Sequence, residues 1–196
     1  MKLETAKRWL ILFYEKIQEN EKVLAELDSF MGGDGDHGEN MLRSMTAVVN
    51  EVEPREFEST VDLFKNTIML LLTKVGGVSG TLYGSAFFGI AHAEKEDGTL
   101  YQDIKEGLEM IQRRGQAKVG DKTMVDVWAP VVDDLREDKL TPERIDEYVL
   151  ATALLRAAKG RQALLSDGSS GLVDPGSYSS GLLFKALIEA EEVEHG

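Results

Sequence analysis

Three aspartates, Asp28, Asp34 and Asp36, crowd around one glycine-rich turn, Gly32-Gly33-Asp34-Gly35-Asp36-His37-Gly38. Carboxylates held this close repel one another unless a cation neutralises them. Hard oxygen ligands favour magnesium, which is commonly shared between a few carboxylates and nucleotide phosphates. An acidic solvated loop would have the same composition. A calcium EF-hand does not fit: counting from Asp34, Gly38 stands at the fifth position, Glu39 at the sixth where glycine is required, and Met45 at the twelfth where a bidentate glutamate belongs. His37 could touch a phosphate or assist proton transfer, and equally could be a helix-start histidine supported by its acidic neighbours.

A second glycine cluster, Gly76-Gly77-Val78-Ser79-Gly80, lacks the Lys-Ser/Thr ending of a Walker loop. Ser79 and Thr81 could offer hydroxyls to phosphate, as could Thr123 further on, and each is equally explained as a helix cap. Met124 could line an apolar base pocket. Met41, Met45 and Met69 read as core fillers, Trp9 and Trp128 as core aromatics, while His92 and His195 suggest no site.

Helices must position these residues. Apolar side chains recur every three or four positions, as in Trp9, Leu10, Phe13 and Ile17, and no window alternates like a strand. The pattern predicts helices at 4–27 with a break near Asn20, 37–52, 57–75, 81–94, 100–114, 123–137, 142–158 and 177–193. Thr99 caps the fifth, Thr141-Pro142 opens the seventh, and Gly160 stops it.

The seven connections alternate in kind. The second, fourth and sixth are plain solvated turns, whereas the first, third, fifth (Val119-Gly120-Asp121-Lys122) and seventh (160–176) are rich in glycine, acid or both. If the helices run alternately up and down, the four unusual connections meet at one end. The N-termini of the second, fourth, sixth and eighth helices then face that end with free N–H groups and positive dipole ends, which makes it an anion-binding surface.

The whole chain narrows the ligand. Its 196 residues suit one domain, 1–196, and the absence of cysteine excludes disulfides, thiolate catalysis and cysteine-held metal. A formal charge of -13 argues against nucleic acid. The apolar runs are too short for a membrane span or a signal peptide, so the cytoplasm is the expected compartment. On so acidic a protein a polyphosphate needs bridging metal, which makes the aspartates and the helix N-termini one site.

Four runs in order carry a family resemblance: Leu27-Asp28 with Gly33-Asp34-Gly35-Asp36-His37-Gly38-Glu39-Asn40-Met41; Lys74-Val75-Gly76-Gly77-Val78-Ser79-Gly80-Thr81-Leu82-Tyr83-Gly84; Arg114-Gly115 through Gly120-Asp121-Lys122-Thr123-Met124 to Trp128; and Lys159-Gly160-Arg161 with Asp174-Pro175-Gly176. Together they resemble the L subunit of bacterial dihydroxyacetone kinases. The resemblance implies an all-α, eight-helix antiparallel barrel with the nucleotide at one end. It implies that Asp28, Asp34 and Asp36 hold two magnesium ions bridging ADP phosphates, and that His37, Gly38, Glu39, Asn40, Val78, Ser79, Gly115, Met124, Asp174, Pro175 and Gly176 contact ADP.

In the phosphotransferase-dependent form of such kinases this subunit keeps ADP as a cofactor. A phosphohistidine-carrying M subunit phosphorylates it, and the ATP formed serves dihydroxyacetone held covalently on a K subunit. A separate chain of this length resembles that arrangement, with no side chain of its own assigned as catalytic. Two departures stand out. Asp28 and Asp34 are six positions apart where the family commonly has five, which puts the reach of Asp28 at issue. In the seventh connection Ser166-Asp167-Gly168-Ser169 replaces a run whose arginine meets phosphate, and Leu172 replaces a histidine. Those two losses favour an alternative, a nucleotide-binding regulatory or weakened paralogue.

Overall fold

The computed structural model describes residues 1–74, 77–158 and 171–195, with the backbone alone at 74, 77–79 and 193–195. Eight helices follow one another: α1 (Leu3–Phe30), α2 (His37–Val52), α3 (Thr60–Lys74), α4 (Gly77–Lys95), α5 (Leu100–Gly115), α6 (Val125–Glu137), α7 (Pro142–Ala151) and α8 (Pro175–His195), with a 3-10 turn at Thr152–Leu154 after α7. There is no strand among the described residues. Each helix packs on the next, and α1 packs on α8, so the ring closes. Apolar faces from all eight helices meet in one core.

The local chemistry explains several boundaries. Thr99 and Gln102 form a reciprocal capping box at the start of α5, and Thr141 caps α7 with Pro142 at its first position. In the barrel interior the Trp9 ring meets Phe64 edge-on and tilts against Phe87, while its Nε1 donates to the Leu183 carbonyl at 2.8 Å. That bond satisfies the indole's single polar atom where no water reaches. Where two helix backbones nearly touch, only glycine fits: a Cβ on Gly38 would lie 2.1 Å from the Glu21 carbonyl oxygen, and one on Gly89 2.4 Å from that of Glu106.

The structure departs from the sequence reading at several helix boundaries and at Met69. Helix α1 runs unbroken through Asn20, whose Nδ2 donates back to the Lys16 carbonyl while its Oδ1 accepts from the Tyr178 hydroxyl of α8. Tertiary pairing there occupies a residue that otherwise competes with helical backbone bonds. Helix α4 begins at Gly77 instead of 81, so much of the glycine cluster is helix and not loop. Helix α3 begins at Thr60, and α6 at Val125. Helix α7 ends at Ala151, where the chain tightens into the 3-10 turn, while the Gly160 stop falls outside the described residues. Met69 and Leu72 are more than half exposed, so this part of α3 turns an apolar edge outward.

Contacts at the two ends confirm the alternation. At one end the Met1 ammonium donates to Glu94 Oε1 at 2.5 Å, and Thr60 Oγ1 donates to the Met1 carbonyl, which draws together the start of α1, the start of α3 and the end of α4. At the other end the start of α2 and the fifth connection both meet the start of α8. None of the described helices is long and apolar enough to cross a membrane.

Asp103, fully buried in α5, lies at the first of these ends with the Met1 ammonium 3.9 Å from its Oδ2. Burial first, then the Glu94 carboxylate, push Asp103 up to about 8 against the opposing pull of that ammonium. The folded chain therefore binds this proton where the unfolded chain has released it, and stability falls as pH rises from the ordinary carboxylate range toward 8. Thermal melts at pH 5 to 8 should show that decline in the wild type and a flatter profile in Asp103→Asn.

Candidate functional site

The first connection folds around Asp28. The Asp28 carbonyl accepts from the Gly33 N–H at 2.8 Å, and its Oδ2 accepts from the Gly35 N–H at 2.9 Å. Gly32 and Gly35 have φ of 77° and 75°, a region glycine enters without steric cost. Asp36 sits at the N-cap of α2 but makes no side-chain capping bond. One carboxylate oxygen from each of Asp28, Asp34 and Asp36 lies within 4.8 Å of the others, with Asp34 and Asp36 exposed. Three oxygen donors on one open face suit a hard divalent cation that keeps further positions for water or phosphate. Asp28 thus reaches the cluster despite the altered spacing.

Helix α2 starts directly beside these carboxylates. His37 and Gly38 are buried, Glu39 is exposed, and Asn40 is buried. The Arg43 guanidinium bonds Asn40 Oδ1 and reaches Glu39 Oε1 at 3.5 Å, placing a cation one turn behind the cluster. The His37 ring turns inward: Nε2 lies 3.2 Å from Ser179 Oγ of α8, and the ring bonds the Pro175 backbone. Burial lowers its pKa against the raising effects of Asp28 and Asp36, so a neutral imidazole is favoured near pH 7. In this state His37 joins two helix starts and brings no positive charge to a phosphate.

The third connection contributes the first turn of α4. Val78 and Ser79 lie there by backbone, and their side chains fall outside the described residues. Gly115 is exposed at the end of α5, and a Cβ on it would lie 3.4 Å from Leu82 Cδ2 on α4.

The fifth connection is organised by Asp126, which the sequence reading had not singled out. Its two oxygens accept from the Gly120 N–H at 2.5 Å and the Thr123 N–H at 2.8 Å. Thr123 Oγ1 accepts from the Val125 N–H, in keeping with its capping role. Lys122, buried with φ of 59°, donates from Nζ to the Leu155 carbonyl; burial lowers its pKa while the Asp174 charge raises it. A capping aspartate after a Gly-Asp-Lys-Thr turn is legible in principle, whereas the buried lysine is a product of tertiary folding.

The seventh connection is described only at its end. Asp174 is buried and turned toward α8, its Oδ2 accepting from the Ser177 N–H at 2.7 Å while its own N–H donates to Thr152 Oγ1. Ser177 Oγ donates to the Thr123 carbonyl, and a Cβ on Gly176 would lie 3.7 Å from that of Met124. The structure therefore brings Met124 together with Asp174, Pro175 and Gly176, and joins that group to the aspartate cluster through His37. Gly168 lies outside the described residues, and Leu172 is half-buried.

Residues 31–189 match the model of the DAK2 domain family. The ADP-binding subunit DhaL of the PTS-dependent dihydroxyacetone kinase of Lactococcus lactis is 44% identical over 95% of this chain and 97% of its own length. The corresponding DhaL subunit of the PEP-dependent kinase of Escherichia coli is 33% identical over 93% of this chain and 94% of its own length. A crystal structure of the C. freundii dihydroxyacetone kinase with AMP-PNP and Mg2+ superposes with a TM-score of 0.76 at 23% identity, covering 94% of this chain and 33% of that one, a likeness of fold. The chain spans about a third of that larger kinase. It belongs to the DAK2 family and, within it, to the group of DhaL-type ADP-binding subunits of dihydroxyacetone kinases.

Two glycines separate site geometry from stability. A Cβ on Gly33 would meet only the movable Asp28 carboxylate, at 2.1 Å, whereas on Gly38 it would meet backbone. Gly38→Ala should lower stability by about 1–3 kcal/mol, and Gly33→Ala by much less. Gly33→Ala should instead weaken magnesium-linked stabilisation by nucleotide, read as the change in Tm when Mg2+ and ADP are added together.

Proposed function

We propose that this chain is the nucleotide-holding subunit of a phosphoenolpyruvate-dependent, phosphotransferase-type dihydroxyacetone kinase, and that it keeps Mg-ADP as a bound cofactor where the starts of α2, α4, α6 and α8 meet. The observation that carries the reading is the gathering of Asp28, Asp34 and Asp36 at the entrance to α2. These three carboxylates would hold two magnesium ions. The first-turn N–H groups of α2 and α4, at His37, Gly38, Glu39, Val78 and Ser79, would bind the diphosphate, with Asn40 beside them, its own N–H taken by the Asp36 carbonyl. Met124 would pack on the base, with Gly115 and Asp174 to Gly176 completing the wall. The Asp174 carboxylate already caps α8, so this segment would meet the nucleotide through its backbone.

When bound, Mg-ADP supplies the acceptor for a phosphoryl group from a phosphohistidine-carrying M subunit and, as Mg-ATP, the donor for dihydroxyacetone on a K subunit. The residues of this chain position and neutralise. Phosphoryl transfer asks little covalent help of a protein, which accounts for a site with no nucleophile of its own. Such a role places the chain in the cytoplasm beside its two partners, with no call for membrane or nucleic acid.

Titration calorimetry with ADP tests the reading. Binding should require Mg2+, and Asp36→Asn should weaken it at least about tenfold, or roughly 1.4 kcal/mol. Binding that is indifferent to Mg2+ and to Asp36→Asn would count against it. Gly168 and Leu172 favour the second reading, a weakened or regulatory paralogue. Reconstitution with K and M subunits separates the two: Mg-ADP that binds while no phosphate reaches dihydroxyacetone selects the second.

A further inference from the structure

One turn below the site rim, five side chains from four helices form a buried hydrogen-bonded cluster. Tyr83 of α4 places its hydroxyl 2.8 Å from Ser179 Oγ and 3.2 Å from Ser180 Oγ, both on α8. Trp128 of α6 donates from Nε1 to Ser180 Oγ at 3.0 Å, and His37 of α2 brings Nε2 to 3.2 Å from Ser179 Oγ. Ser179 Oγ in turn donates to the Gly176 carbonyl at 3.1 Å. Tyr83, Trp128, Ser179 and Ser180 are at most 1% exposed, and His37 is 7% exposed.

The donor count gives the cluster a direction. An indole N–H only donates, and each hydroxyl has one proton to give. With Ser179 giving its proton to Gly176, Tyr83 gives its own to Ser179, Ser180 gives to Tyr83, and Trp128 gives to Ser180. With His37 in the tautomer that donates from Nε2 to Ser179, the chain Trp128, Ser180, Tyr83, Ser179, Gly176 uses each proton once and ends on the peptide that opens α8. Burial pushes the Tyr83 hydroxyl up to about 12, so it remains a donor throughout the neutral range.

The helices joined in this way are α2, α4, α6 and α8, whose starts meet at the proposed Mg-ADP site. Among the described residues, the hydrogen bonds that join these five side chains run only between even-numbered helices. General core specification does not account for that selectivity, because a buried polar network serves it equally well from any set of helices. We propose that Tyr83 is a positioning residue for nucleotide binding, acting through Ser179 on Gly176 to hold the starts of α2, α4, α6 and α8 in mutual register. This rests on the reading of the same pole as the Mg-ADP site.

The test compares Tyr83→Phe, Ser179→Ala and the double variant with the wild type. Calorimetry gives the Kd for Mg-ADP and circular dichroism the apo Tm, with binding measured well below every Tm. Tyr83→Phe keeps the ring and deletes only the hydroxyl. Its Kd should rise about tenfold, because small misplacements of preorganised groups are costly to binding. Ser179→Ala should weaken binding similarly, and the double variant no more than the worse single, as expected for groups acting in one chain. A lowered Tm with unchanged Kd in the single variants would reduce the cluster to a structural role and overturn the proposal. Additive losses in the double variant would also overturn it. If Tyr83→Phe does not fold, Ser179→Ala decides alone by the same Kd criterion. Wild-type protein that fails to bind Mg-ADP overturns the site itself, an outcome distinct from a wild type that binds and variants that bind equally well.

Discussion

Carboxylates that repel one another and helix ends that attract anions can share a surface only if something holds both in place. In this chain the constraint is the closure of an antiparallel helical ring. Because α1 packs on α8 and every helix packs on its successor, alternate junctions must share a pole. Four helix N-termini then face one way, and the Asp28, Asp34 and Asp36 cluster lies on the entrance to the first of them. Positive dipole ends, together with the cation proposed for this site, would offset the local repulsion that the acidic side chains create.

The loops at that pole are held by aspartates turned inward as well as glycines. Asp126 ties Gly120 and Thr123, and Asp174 ties Ser177, each carboxylate satisfying backbone N–H groups that have no helical partner. Lys122 links the fifth junction to the segment after α7 through Leu155, and Ser177 links α8 back to Thr123. The acidic residues of this end thus divide by environment. Asp34 and Asp36 stand exposed at the cluster, while Asp28, Asp126 and Asp174, half-buried or buried, accept backbone N–H groups. A site whose task is electrostatic positioning gains more from such rigidity than from additional reactive groups.

Much of this was legible in the residues. Periodicity identified all eight described helices, and the contrast between plain and unusual junctions anticipated that the starts of α2 and α8 and the fifth junction meet at one end. The capping signals at Thr99 and Thr141 were local and read correctly. Asn20 and Gly77 misled because their intrinsic preferences are weak and neighbouring structure overrode them: a hydrogen bond from Tyr178 in one case, a helical first turn in the other. The inward turn of His37, the burial of Lys122 and the Tyr83 cluster left no sequence signal. Ser179 and Ser180 look like ordinary polar positions in a helix, and only the partners they meet across the ring give them a role.

The central claim is that one pole alone, where the even-numbered helices begin, receives a divalent cation with its nucleotide. Paramagnetic broadening of backbone amide NMR signals by Mn2+ in the presence of ADP reads it most directly. Broadening should concentrate around Asp28, Asp34, Asp36 and the first turns of α2, α4, α6 and α8, and should spare the opposite pole around Glu94 and Asp103. Broadening centred on that opposite pole, or spread evenly over the acidic surface, would contradict it.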